Sequence, residues 1–233
     1  MKKILKYIGI VVAVLVLIGL VGATIINKPL PEGKQGPEAD ALAKKMLQAT
    51  KYDAFEATTY LEWTFPGGRK FQWYKNENRV IVRWKENTVD LNLQNVSESK
   101  VTSNNTEVTD QEKKSELQQK ALAMFNNDSF WLIAPYKLFE PGIERRLVKT
   151  EDGEEALLIT YTSGGTTPGD SYLWYVDSNG LPIKYEMWVS TIPIGGVPAT
   201  WENWQETESG ALLASIHKSV KFTLELKDIK ATK

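Results

Sequence analysis

The chain has 233 residues, a formal net charge of -1, a single histidine and no cysteine. The lack of cysteine excludes disulfides, thiolate metal sites, a thiol nucleophile and lipidation through cysteine. Residues 1–28 hold four lysines and no acid, which leaves 24 basic against 29 acidic groups in the rest. No basic patch for nucleic acid is expected there.

From Ile8 to Ile26 the sequence IGIVVAVLVLIGLVGATII contains no charge. Its nineteen residues match a bilayer core, whereas the apolar part of a secretory signal usually spans about 7–15. Lys2, Lys3 and Lys6 precede it, which the positive-inside rule places in the cytoplasm. Two readings stand: an uncleaved single-pass anchor in the cytoplasmic (inner) membrane, or a signal peptide cut near Gly22 and Ala23. Either puts the domain outside the cytoplasm, in the periplasm or beyond. Residues 1–28 are thus expected as the membrane segment, 29–36 as a linker and 37–233 as one domain.

Asn27 to Gly36, NKPLPEGKQG, has the proline and glycine of a tether and no apolar period. Pro37 suits the first turn of a helix, and Ala39, Leu42, Ala43, Met46 and Leu47 follow at helical spacing. Four strands of a meander come next. Pro66-Gly67-Gly68 as a three-residue loop sets Trp63 opposite Phe71 and Leu61 opposite Trp73. Two-residue turns at Glu77-Asn78 and Glu86-Asn87 would align Trp73 with Val82, Phe71 with Trp84, Val82 with Leu91 and Val80 with Leu93. Every strand then shows one apolar face, and a slip of one residue would invert it.

Asn104-Asn105 marks an exposed turn, and Thr109-x-x-Glu112 reads as a capping box opening a helix with Leu117, Ala121, Leu122 and Phe125. FWLIAPYKLFEPG, broken by Pro135 and Pro141, predicts a buried irregular crossing. Asp152-Gly153 turns a further hairpin. Asn179-Gly180 between two aromatic runs predicts a tight hairpin with Val176 opposite Ile183, Trp174 opposite Tyr185 and Tyr172 opposite Met187. TWENWQET and ALLASIHKSVKFTLELKDI complete the sheet around Ser209-Gly210.

Catalytic signals are sparse. His217 stands alone on a strand, so a zinc site would need carboxylates brought by the fold, and no metal or cofactor is expected. There is no G-x-S-x-G elbow. The Gly164–Asp170 loop lacks the Lys-Ser/Thr of a P-loop and precedes a strand. Its plain reading is a tight turn in which Asp170 accepts backbone hydrogen bonds, and Thr167, Gly169 and Asp170 are its residues of possible function. Lys137, Glu140, Glu144, Arg145 and Arg146 form a charged cluster of the kind usual on a solvated rim.

The eight tryptophans allow two readings: an ordinary core, or a cavity between a curved sheet and overlying helices, lined by Trp63, Trp73, Trp84, Tyr172, Trp174 and Tyr185. Trp188 and Leu173, on the other face of their hairpin, require a cover of their own.

Phe130-Trp131-Leu132-x-x-Pro135, Gly164-Gly165-x-Thr167-Pro168-Gly169-Asp170-x-Tyr172-Leu173-Trp174 and Ile192-Pro193-Ile194-Gly195-Gly196 resemble an uncharacterised family of exported bacterial proteins. More distantly, the order of helix, meander, helical crossing and further strands resembles the bacterial lipoprotein-localisation carriers and receptors. That likeness implies an unclosed half-barrel lidded by helices and holding acyl chains; the apolar N-terminal segment and missing lipobox cysteine depart from it. The expected fold is therefore a mainly β domain, a single curved antiparallel sheet with helices on its concave face. The expected function is non-catalytic binding of an apolar or acylated ligand at the membrane. The alternatives are an envelope protein-interaction module with a filled aromatic core and, with least support, a hydrolase using the Gly164–Asp170 loop.

Overall fold

The computed structural model describes residues 27–164 and 166–233, so the apolar stretch at 8–26 lies outside the described residues. Among the described residues no helix is long and apolar enough to cross a membrane. The described residues form three α-helices: α1 (Pro37–Ala49), α2 (Tyr52–Glu56) and α3 (Gln111–Ile133). The strands are β1 (Tyr60–Phe65), β2 (Arg69–Tyr74), β3 (Arg79–Trp84), β4 (Asn87–Asn92), β5 (Lys100–Ser103), β6 (Thr106–Glu107), β7 (Ile143–Lys149) and β8 (Glu155–Tyr161). They continue with β9 (Ser171–Val176), β10 (Pro182–Trp188), β11 (Val197–Thr200), β12 (Glu202–Glu206), β13 (Leu212–Lys218), β14 (Thr223–Glu225) and β15 (Lys227–Thr232).

All pairings are antiparallel, in ladders ordered β15-β1-β2-β3-β4-β5-β6, β11-β10-β9-β8-β7 and β12-β13-β14. Two bent strands join these ladders into one curved surface. At Trp201 the chain leaves β11: its N–H donates to the Ile183 carbonyl at 2.8 Å, while Glu202 already pairs with Ile216 of β13. At Leu226 it leaves β14: its N–H donates to Ser215 at 2.8 Å, and β15 then pairs with β1. The surface ends at β7 on one side and β6 on the other, so the half-barrel stays open.

The expected apolar alternation is present, with Leu61, Trp63 and Phe65 buried on β1 between half-buried neighbours. Trp63 pairs with Phe71 and Leu61 with Trp73. The next registers differ from expectation by two residues: Phe71 meets Val82, Trp73 meets Val80, Val82 meets Val89 and Val80 meets Leu91. The first turn is longer than two residues, a 3-10 turn at Lys75–Glu77 closed by left-handed Asn78. The next uses Lys85-Glu86, with Trp84 paired to Asn87. A slip of two keeps every side chain on its own face, so the apolar surface survives the error.

The β9–β10 turn also differs. Tyr185 pairs with Trp174 and Met187 with Tyr172, but Val176 pairs with Pro182 across a bulge. Asp177 organises the loop: its Oδ1 accepts the N–H groups of Asn179 and Leu181, each at 2.9 Å. Gly180 takes φ +96° there, and a Cβ on it would lie 2.8 Å from Cγ of Lys45 on α1. Only glycine fits this contact without strain.

Helix α3 starts from Asp110, whose carboxylate accepts the Lys113 N–H at 2.8 Å, rather than from a Thr109 capping box. It runs through Phe130–Ile133, expected as irregular, because Leu117, Ala121, Phe125 and Leu132 continue one buried stripe. Pro135 then permits only a short 3-10 turn at Ala134–Tyr136.

Both longer helices lie on the concave side. α3 packs on the meander through Phe125, while α1 packs Ala39, Ala43 and Met46 with Leu147, Leu157 and Trp174. Arg69 donates to Asp128 from Nε (2.5 Å) and Nη2 (3.1 Å), tying β2 to α3. Burial pushes the Asp128 carboxyl above its ordinary range, and the Arg69 hydrogen bonds pull it back only in part.

Candidate functional site

The six aromatic residues proposed as a cavity lining fall into two packed clusters. Trp63, Trp73 and Trp84 belong to the meander cluster under α3. Trp63 stacks on Phe71 at 4.7 Å, and Trp73 meets Phe125 edge-on at 5.3 Å. Tyr172, Trp174 and Tyr185 belong to the cluster of β7–β11. Here Trp174 meets Tyr185 edge-on at 4.9 Å, and Tyr185 lies 5.2 Å from Tyr172. Trp131 of α3 packs against both clusters.

Sequence reasoning missed two members of the second cluster, Trp131 and Trp201, and gave no sign that His217, on a strand as expected, packs beside them. Trp201 lies at the bend between β11 and β12, where strict alternation gives no guidance. It stands 5.1 Å from Trp174 and 4.4 Å from His217. Nδ1 of His217 sits 3.1 Å from the Thr200 carbonyl, while Nε2 is buried without a hydrogen-bond partner among the described residues. Burial lowers this imidazole to about 4, so it is neutral at ordinary pH. Trp63, Trp73, Trp174 and Trp201 bury their indole N–H groups, and Tyr185 its hydroxyl, without partners among the described residues. Each forfeits about 1–3 kcal/mol of hydration, so these rings stabilise through apolar area and ring contact.

Asp170 is engaged on both oxygens. Oδ1 accepts the Ser190 N–H at 2.9 Å and Oδ2 accepts the Thr167 hydroxyl at 2.6 Å. The Gly169 N–H donates to the Tyr161 carbonyl at 2.7 Å. The three loop residues thus act together as a staple, and the one backbone N–H that the Asp170 carboxylate accepts comes from Ser190 of a neighbouring loop rather than from its own turn. Among the described residues no group of three His, Cys, Asp or Glu could hold a metal ion. The charged cluster forms surface pairs: Lys137 with Glu140, Arg146 with Glu144, and Arg145 with Asp40 of α1.

The stapled loop forms one wall of a surface cleft of about 490 Å³, whose lining includes Leu30, Gly169, Asp170, Trp188, Ile192 and Ile194. The opposite wall is the segment read as a tether, which is pinned as a strap. Gly195 N–H donates to Asn27 Oδ1 at 2.7 Å, Trp188 Nε1 donates to the Lys28 carbonyl at 2.8 Å, and Lys28 Nζ meets Glu186 at 2.6 Å. The strap then crosses the convex face to Lys34, which bridges to Leu147 of β7. It thereby helps cover Trp188 and the small cluster of Val148, Leu158 and Leu173. A Cβ at Gly195 would lie 2.2 Å from the Trp188 ring, which explains one glycine of Ile192–Gly196 by close approach. A second cleft of about 420 Å³ lies at the α1–α2 corner around Leu47 and Tyr52. None of the six aromatic residues lines either cleft.

The chain matches no known family model and no curated protein. A solved structure of a DUF1329 family protein from Desulfovibrio piger is 8% identical, with a TM-score of 0.38 over 83% of this chain and 92% of that one. A likeness of that degree supports no conclusion about fold or activity.

Proposed function

We propose that this chain is a membrane-tethered, extracytoplasmic, non-catalytic binding protein for an apolar or acylated ligand. The ligand lies in the cleft between the strap and the two stapled loops rather than among the concave aromatics. The observation that carries this reading is the cleft itself. It is an open surface cleft of about 490 Å³ with a mixed polar and apolar lining, to which Leu30, Trp188, Ile192 and Ile194 contribute the apolar part. Backbone N–H groups and the Asp170 staple hold those walls in place, so little ordering remains to be paid on binding. The tether reading adds a source: residues 8–26 carry no charge and lead directly into Asn27 on the cleft wall.

The test uses full-length protein in lipid nanodiscs with a diazirine-bearing fatty acid. Saturable photolabelling is expected at Leu30, Trp188 and Ile194, competed by excess plain fatty acid and lost in a folded Ile194→Asp variant. Labelling that cannot be competed, or that is unchanged in Ile194→Asp, overturns the cleft. A packed aromatic interior is also what an envelope protein-interaction module would have, and the absence of saturable labelling would favour that second reading.

A further inference from the structure

The end of the half-barrel that holds the cleft also carries exposed apolar residues that ligand binding does not use, Phe139 and Val220. Ser171 pairs with Trp188, Ile143 with Tyr161 and Val197 with Met187, so the loops around 162–170 and 189–196 share this end. The β13–β14 tip joins them. The Lys218 N–H donates to the Thr200 hydroxyl and Lys218 pairs with Thr223, which carries residues 219–222 alongside β11 toward its start. Of the four large hydrophobic residues exposed among the described residues, three lie here: Leu30 on the strap, Phe139 ahead of β7, and Val220 on the tip. Val220 is 84% exposed, between Lys218 and Lys221, which no packing demand explains.

Position decides what this end faces. Asn27 is hydrogen-bonded to Gly195 at 2.7 Å, so the domain has no slack at its first described residue. If residues 8–26 span a bilayer, Asn27 stands at its surface, because consecutive Cα atoms are only about 3.8 Å apart. The loops fixed around Asn27 must then stand there too. The charges fit an apolar contact better than an electrostatic one. Lys28 is paired with Glu186, Lys137 with Glu140 and Lys218 with Glu202.

We propose that this end of the domain rests on the outer surface of the membrane that anchors it, with the Val220 tip inserted among the lipid headgroups and the Lys218 and Lys221 ammonium groups kept in the wet layer. This rests on reading residues 8–26 as an anchor, and not on any ligand in the cleft.

The absence of cysteine makes the test direct. Val220→Cys and, at the far end of the β9–β10 hairpin, Ser178→Cys each give the full-length chain a single thiol for an environment-sensitive fluorophore. In nanodiscs of phosphatidylcholine and phosphatidylglycerol, the label at 220 should be blue-shifted. Doxyl-labelled lipids should quench it several-fold more strongly than the label at 178, with little change in high salt. Equal, weak quenching at both positions in protein retained by the discs overturns the docking and leaves the tether standing. Protein that separates from the discs overturns both.

Discussion

Trp174→Ala should lower the unfolding free energy by about 3–5 kcal/mol, the range for deleting a large aromatic from a close-packed core. Trp174 is fully buried, and its ring neighbours Tyr185 and Trp201 stand at 4.9 and 5.1 Å. Both neighbours are rigid rings, so the space left by the indole cannot close by rotamer adjustment. Trp174→Phe should cost much less, because it keeps most of the ring and removes an indole N–H that has no partner. Chemical denaturation followed by far-ultraviolet circular dichroism checks both. Competable labelling of the cleft should persist in Trp174→Ala wherever it remains folded. A loss near zero would mean the ring borders space that already exists, which would return the ligand to the concave side.

The second expected result concerns pH. His217 is held at about 4 by burial, against an ordinary imidazole value of about 6.5. Between those values the unfolded chain takes up a proton that the folded one refuses. The stabilisation is therefore complete above about pH 6.5, falls as the pH drops, and is fully lost only below about 4. It amounts to roughly 3 kcal/mol. His217→Phe removes the titrating group while keeping a ring against Trp201. The stability gap between wild type and variant should shift by about that amount, in the variant's favour, on going from pH 7 to pH 4. Parallel stability curves would show that His217 titrates alike in the folded and unfolded chain, and the packing around it would need revision.

Much of the fold was legible because face and register are separate questions. The alternation of Leu61, Trp63 and Phe65 assigns faces without any knowledge of turns. The turns at Asn78 and Lys85 adopt left-handed backbone at residues that no glycine advertises, so the registers beyond them were misjudged by two. Helix α3 was cut short in expectation because Pro135 lies close to Phe130–Ile133; the helix ends just before it instead. The candidate site was harder to read. Aromatic residues report apolar area, not whether that area meets protein or ligand, so Trp63 and Trp174 look alike in sequence whether they fill a core or line a cavity. The cleft depends on Asn27, Asp170 and Gly195 meeting from distant parts of the chain. Of these, only the glycine-rich Gly164–Asp170 and Ile192–Gly196 stretches gave a local hint.

The most direct measurement is of the indole N–H resonances of full-length, ¹⁵N-labelled protein in nanodiscs, titrated with a short-chain fatty acid. The chain has eight tryptophans, and one, Trp188, lines the larger cleft, donating its N–H to Lys28 on the wall. A saturable shift of the Trp188 signal is expected, with those of Trp63, Trp73, Trp174 and Trp201 unmoved. Shifts of the core signals with Trp188 unchanged would contradict it.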